Sequence, residues 1–453
     1  MENMISNFKQ SELQTLFNET RTQNGDFAFK NHNNKLVDIL FKCEYYTKHP
    51  YGLQIGKSNI EKLFAMFIRD PRFGLGYKTV GRRLMALSGV TPENVVKAGS
   101  FKDFRECQDF FENMFDIWQG FLYQEISNGN ELAKKWCPRY SSKNLMLARR
   151  LAKAWGMNKQ QYGHFVKCNT TENKLSRHET EQINFEHVPS LAMLKYYKRF
   201  KDGEDTAKRF AEYLEKVKKG DAKLNVAVTT VYDLYRKSFE PGFDADLFFD
   251  KIEKISGSWI PIIDTSGSMW WKENNDAGGK AMAIGHYLAK CSTYCPNQVL
   301  SFSSRPQLIT LGQPAGRSAG YLPSSNTQYG REIRSMYTGD CSNTDFQAVM
   351  NILSGLKEDL PEYLVVLSDM QFDAGGYNAK ERLMKDWRNR GINTKIIWWN
   401  FAVSTATVPD SDEWGNVFLS GYSPMMLQYM EAGFNAETFL MKLLAEYAKN
   451  ITK

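Results

Sequence analysis

Histidine is scarce in this chain of 453 residues, and its cysteines are scattered. The seven cysteines, Cys43, Cys107, Cys137, Cys168, Cys291, Cys295 and Cys341, are odd in number and contain no CxxC. None of the six histidines pairs with them at metal spacing, so reduced thiols are expected rather than a zinc site or a disulfide framework. Only Cys291 and Cys295 lie close, four residues apart, a spacing that would share one helix face. Long apolar runs are also missing. No segment reaches the ~18 residues of a membrane span. Fourteen prolines and 32 glycines exclude collagen-like or linker-like chains. The opening residues, Met1-Glu2-Asn3-Met4-Ile5-Ser6, carry neither a basic nor an apolar signal region, which reads as an intracellular, cytoplasmic protein. Nucleotide loops fail as well. Gly74-Leu75-Gly76-Tyr77-Lys78-Thr79 has Thr79 where a third glycine is needed, and Gly76 and Gly81 lead to Arg82-Arg83 instead of Lys-Ser/Thr.

What is present is an ordinary globular composition, 42% hydrophobic and 24% charged, with length for two or three domains. The net charge of +7 is unevenly spread. Residues 1–240 carry 39 Lys and Arg against 28 Asp and Glu, whereas residues 241–453 carry 19 against 23. Within the first part, residues 134–219 hold 20 basic and nine acidic residues, a net of +11. Such asymmetry points to a polyanion-facing surface or to a solvated lysine-rich face.

Residues 1–220 read as helices. Lys35–Tyr46, Asn59–Arg69, Val80–Leu87, Asp103–Ile126, Lys143–Ala154 and Ser190–Phe200 carry apolar residues at i, i+3, i+4 spacing. Many medium helices with short turns fit a HEAT-like stacked solenoid. From Ser256 onward, strand-like runs (Trp259–Asp264, Gln298–Ser303, Tyr363–Asp369, Thr394–Asn400, Val417–Leu419) alternate with helical patterns (Lys280–Thr293, Thr344–Lys357, Lys380–Arg390, Glu437–Asn450). That alternation predicts a doubly wound parallel sheet covered on both faces. The expected division is a helical-repeat domain over 1–240 and an α/β domain over 241–453.

The first strand of the α/β part ends in Asp264-Thr265-Ser266-Gly267-Ser268. Doubly wound sheets place ligand sites beyond the carboxyl ends of their strands. The DxSxS spacing there offers one carboxylate and two hydroxyls to a common point, hard oxygen donors that suit Mg²⁺. Thr344 opens a helix and Asp369 ends a strand, adding two more oxygen donors.

This constellation, Asp264, Ser266, Ser268, Thr344 and Asp369, resembles the metal-ion-dependent adhesion site of von Willebrand factor type A domains. The resemblance implies hydroxyls at or near the metal, aspartates orienting waters and hydroxyls, and an open position filled by a partner's carboxylate. That chemistry is binding, not catalysis, and no nucleophile with an oriented base stands nearby. Trp270 and Trp271, just after Ser268, are candidate partner contacts, while Trp398-Trp399 is expected to be core strand.

The helical half carries a second resemblance. Ile68-Arg69-Asp70-Pro71-Arg72-Phe73-Gly74-Leu75-Gly76-Tyr77 is similar to the RDIRGGxGER signature of the Ro (TROVE) ribonucleoprotein family, with Pro71, Phe73 and Tyr77-Lys78 departing from it. Lys135-Trp136-Cys137-Pro138-Arg139, Val188-Pro189-Ser190-Leu191-Ala192 and Phe418-Leu419-Ser420-Gly421-Tyr422-Ser423-Pro424 resemble a branch without assigned function found in plants, bacteria and phages. The resemblance implies a helical-repeat ring joined to a type A domain, with RNA held on basic ring residues. The charge distribution supports this independently. Around Lys143–Trp155, Leu147, Leu151 and Trp155 form one stripe, with Lys143, Arg149, Arg150 and Lys153 opposite. Lys134, Lys135 and Arg139 precede them; Lys195, Lys198 and Arg199 are interleaved with Tyr196 and Tyr197, offering charge plus stacking. The expectation is therefore a non-catalytic RNA-binding protein with a Mg²⁺-dependent protein contact and no membrane partner. The alternative is a scaffold or virion-assembly component acting through the metal site without nucleic acid.

Overall fold

The structure is a computed structural model that describes residues 59–71, 74, 76, 78–107, 114–141, 143–226, 229–271, 276–302, 305–313, 325–337, 348–349, 352–353, 360–370, 384–402, 410–411, 415–421 and 447. Thr344, the helices expected over 35–46 and 437–450 (Tyr447 apart), most of that over 344–357, and Tyr422-Ser423-Pro424 lie outside them. Within the Ro-like signature, so do Arg72, Phe73, Leu75 and Tyr77. The chain divides into two compact units, residues 1–168 with 435–453, and residues 169–434.

The described part of the first unit is helical: α1 (Asn59–Arg69), α2 (Lys78–Leu87), α3 (Pro92–Ala98), α4 (Lys102–Glu106), α5 (Phe115–Ser127), α6 (Glu131–Trp136), α7 (Leu145–Ala154) and α8 (Lys159–Phe165). Among the described residues, the range Asp103–Ile126 expected as one helix falls in α4 and α5. The backbone turns extended at Cys107, so α4 stops after five residues. The turns around these helices are held by local chemistry. Asn130 caps α6 by accepting from Leu132 N and Ala133 N, and Asn158 with Gln161 forms a capping box on α8. The core is aromatic: Phe104 stacks on Trp118 at 5.5 Å and Trp155 on Tyr162 at 5.6 Å.

Arg69 and Asp70 of the Ro-like signature have structural employment. Arg69 Nη2 donates to the fully buried Asp103 at 3.0 Å, Arg82 Nε donates to the same carboxylate, and Ser100 N completes it at 2.9 Å. This ion cluster ties α1, α2 and α4 together. Asp70 accepts from Tyr447 at 3.4 Å.

The second unit opens with α9 (Thr171–Ser176), α10 (Ser190–Phe200), α11 (Glu204–Lys219), α12 (Val231–Lys237) and α13 (Ala245–Lys251). Thr230 and Asp233 form a capping box that starts α12. A mixed α/β layer follows: β1 (Trp259–Asp264), α14 (Ala277–Cys291), β2 (Gln298–Phe302), β3 (Leu308–Thr310), α15 (Gln328–Ser335), β4 (Tyr363–Ser368), a helical turn at 384–389, β5 (Lys395–Asn400), β6 (Asp410–Ser411) and β7 (Val417–Ser420). Cys291 ends α14 and Cys295 lies beyond it, so the two do not share a helix face.

The seven strands are ordered β3-β2-β1-β4-β5-β7-β6. The inner pairs are parallel, and β3 and β6 close the edges antiparallel. Both faces are covered, as near-continuous apolar strands require. On one face Ile260, Ile262, Leu364, Val366, Ile396 and Trp398 pack with Val349, Leu353, Met384 and Trp387. On the other, Gly285 brings α14 so close that an added Cβ would lie 2.4 Å from Ile263 Cδ1. Trp399 is fully buried, as a core strand demands.

Candidate functional site

From β1 the chain winds through β2 to β3 on one side, then restarts at β4 on the other, so the order reverses between β1 and β4. Ligands of doubly wound sheets bind at such a switch point. Asp264 ends β1 and Asp369 follows β4 there, since Ile263 pairs with Leu367 across the two strands. Asp264 is fully buried and Asp369 nearly so. Asp264 Oδ1 accepts from Ser266 N at 2.9 Å, and Oδ2 accepts from Ser368 Oγ at 2.6 Å. Ser266 Oγ and Ser268 Oγ stand 3.2 Å apart, where the chain enters a short 3-10 turn over Gly267–Trp270. Burial pushes the Asp264 carboxyl up to about 6, and the charge of Asp369 adds to this; the Ser368 and Ser266 hydrogen bonds pull the other way. The structure thus brings Asp264, Ser266, Ser268 and Asp369 to one corner, with Thr344 outside the described residues. Ser368 escaped the sequence reading. Its signal is a small hydroxyl residue just before the strand-end aspartate, and it anchors Asp264 directly.

This donor set fits a hard divalent cation: carboxylates and hydroxyls, no soft ligand. Among the described residues no group of three or more His, Cys, Asp or Glu side chains converges, so the hydroxyls are integral to the fit. Beside the corner, Trp270 is wedged against α14, where Gly278 leaves room for its ring, and it meets Tyr337 edge-on at 5.4 Å. Trp271 projects outward, 58% exposed.

The basic residues fall in both units. In the first, α7 buries Ala148, Leu151 and Ala152, while Arg149, Arg150 and Lys153 are exposed, as is Lys143 just before the helix. Leu147 and Trp155 are half-buried, so the alanines do much of the packing assigned to them. Arg150 stacks on Phe115 with 3.7 Å to the ring centroid. Lys134 pairs with Glu131 at 2.9 Å. Arg139 is half-buried, donating to the Lys134 carbonyl at 3.0 Å and facing Cys168 Sγ at 3.5 Å. In the second unit, Lys195, Lys198 and Arg199 are exposed on α10, with Lys195 over the Tyr196 ring at 5.0 Å and Arg199 3.7 Å from Asp202. Tyr197 offers no stacking face. It is 2% exposed, packed among Phe210, Phe243 and Phe248, because i+4 spacing from Met193 turns it inward.

Comparison with known proteins gives three findings. Two domains of unknown function match the chain, DUF2828 over residues 164–255 and DUF7788 over residues 258–448. An uncharacterised protein of Acanthamoeba polyphaga mimivirus is 24% identical over 95% of this chain and 88% of its own length. Among solved structures, the Ro (RSR) protein of Deinococcus radiodurans aligns with a TM-score of 0.44 at 10% identity, over 92% of this chain and 96% of that one. No helix among the described residues is long and apolar enough to cross a membrane.

Proposed function

We propose that this is a non-catalytic RNA-binding protein whose α7 region holds phosphates, with a Mg²⁺-dependent protein contact at Asp264. The observation that carries it is one of charge and exposure together. Residues 132–171 contain nine Lys and Arg and no Asp or Glu, and the cations of α7 sit on its solvent face, opposite the buried Ala148, Leu151 and Ala152. Phosphates meet such cations without disturbing the core, which gives sequence-tolerant, salt-sensitive binding. Lys195, Lys198 and Arg199 offer further phosphate contacts on the other unit. Lys134, Lys135 and Arg139 have more structural contacts and contribute less.

Ser266, Ser268 and Thr344 would hold Mg²⁺, and Asp264 and Asp369 would orient waters and hydroxyls at the strand ends. A bound Mg²⁺ supplies an open coordination position that a partner's carboxylate completes. Trp271, exposed beside Ser268, gives that partner an apolar anchor. This exposed indole also favours the second reading, a scaffold or assembly component that works through the metal site alone.

The test is RNA binding by the full chain across a salt series. Affinity should fall steeply with salt, and Arg149→Glu with Arg150→Glu should abolish most of it. Clean protein without nucleic acid, together with a partner lost on chelation, would transfer the assignment to the scaffold.

A further inference from the structure

One hydroxyl is bonded into both strand ends of the metal corner. Ser368, fully buried at the end of β4, donates from Oγ to Asp264 Oδ2 on the parallel neighbour β1. The same Oγ accepts from Met370 N at 2.9 Å, which closes a turn over Asp369. Met370 holds φ at 62°, the left-handed region that residues with a side chain seldom occupy. The Ser368 backbone is fixed from its other side. Phe401 N donates to its carbonyl at 3.0 Å, and Ser368 stands in register with Asn400 of β5. Ser368 is thus an anchored donor.

The two oxygens of Asp264 are held towards different segments. Oδ1 accepts from Ser266 N at 2.9 Å, two residues on, so it faces the serine loop. Oδ2 faces β4. A carboxylate that chelates a cation must bring both oxygens to it, and Asp264 can do so only by giving up the Ser368 bond. With that bond intact, its remaining lone pairs take hydrogens from waters or hydroxyls, or offer an ion one oxygen at most. This difference separates the two common hard cations. Ca²⁺ accepts bidentate carboxylates in a large, flexible shell, whereas Mg²⁺ demands octahedral geometry and keeps several waters.

We propose that Ser368 is a positioning residue that sets the ion preference of the corner. By holding Asp264 Oδ2 against β4, it withholds the carboxylate from chelation and favours Mg²⁺ over Ca²⁺. This rests on the metal reading and deepens it. The effect concerns Asp264 alone, so it operates whichever further oxygens complete the shell.

The experiment is calorimetric titration of the full chain with MgCl₂ and, separately, CaCl₂ at one pH and ionic strength. Wild type should bind Mg²⁺ more tightly than Ca²⁺. Ser368→Ala releases Oδ2 and should shift the ratio of the two affinities about tenfold towards Ca²⁺. Protons compete with both ions for the same carboxylates, so a changed proton affinity cancels in that ratio. Ser368→Thr keeps the hydroxyl and should keep the wild-type ratio. Equal loss of both ions in Ser368→Ala, or a Ser368→Thr chain that behaves like it, overturns the positioning role and leaves the metal reading standing. Wild type that binds Ca²⁺ more tightly overturns the role without any variant, which covers a variant that fails to fold. Binding of neither ion by wild type removes the metal reading itself.

Discussion

Two fully buried aspartates, one in each unit, are solvated by opposite means. Asp103 in the helical unit faces the guanidinium groups of Arg69 and Arg82 and the Ser100 amide. Asp264 at the sheet corner receives hydrogen bonds from neutral donors, Ser266 N and Ser368 Oγ, and has Asp369 nearby. A buried carboxylate needs a positive charge or accepts a raised affinity for protons. Asp103 finds its cations within the chain and serves as a joint between helices. Asp264 has its carboxyl pushed up to about 6, which is the condition a hard cation would relieve. The same residue type is architecture in one unit and a candidate ligand-orienting group in the other, and the partner decides which.

The sharpest way to break this comparison is Asp103→Ala. It leaves two buried or half-buried arginines without their acceptor and should cost about 3–5 kcal/mol in chemical denaturation of the full chain. A loss under 1 kcal/mol would mean that the cluster is incidental. Asp264→Ala should do the converse, lowering Mg²⁺ affinity by about 100-fold in calorimetric titration while RNA binding is retained. Equal loss of both activities would show that the variant has damaged the fold instead. Arg149→Glu with Arg150→Glu should reduce RNA affinity roughly 10- to 100-fold near 0.1 M salt and leave Mg²⁺ titration unchanged. Gly285→Ala tests the sheet that carries Asp264. Overpacking against Ile263, offset by about 1 kcal/mol of helix propensity, should leave a net loss of about 1–2 kcal/mol.

The smallest effect is on acid stability, through a third buried group. His286, fully buried against Phe249 and Tyr329, bonds Glu332 through Nε2 at 2.7 Å, and its Nδ1 has no hydrogen-bond partner among the described residues. Burial lowers the His286 pKa, so the ring is neutral in the folded protein at pH 7. Burial pushes the Glu332 carboxyl up, but hydrogen bonds from His286 and Gln328 prevail and hold it at about 2. Both pKa values are lower in the folded state than in the unfolded chain. The unfolded chain therefore binds more protons, and stability falls with pH, first below about 6.5 through His286 and then from about 4.5 towards 2 through Glu332. Unfolding free energies at pH 7, 5 and 3 should decrease in order, and Glu332→Gln should flatten the lower step. A stability that rises on acidification would contradict the assignment.

Much of the sheet was legible because buried parallel strands are continuous apolar runs. Trp259–Asp264 occupies its expected bounds, the other four expected strands shift by one residue at an end, and the short antiparallel edge strands β3 and β6 were not expected. The corner was half legible. DxSxS and Asp369 stand at strand ends in the sequence, but Ser368 acts through a hydrogen bond to a residue 104 positions away, which no local pattern records. The same limit explains Tyr197, where charge interleaving promised a stacking face and packing with Phe210 and Phe243 removed it.

By itself the sequence determined which segments become strand or helix and where cations outnumber acids. These are short-range properties, set by side-chain period, capping residues and composition. Only the tertiary structure decided what each charge faces. Asp103 meets arginines from two other helices, Asp264 meets a serine from another strand, and Arg150 meets the Phe115 ring. Burial and distance set the strength of a charge's interactions, and both come into being only when segments far apart in the chain pack together.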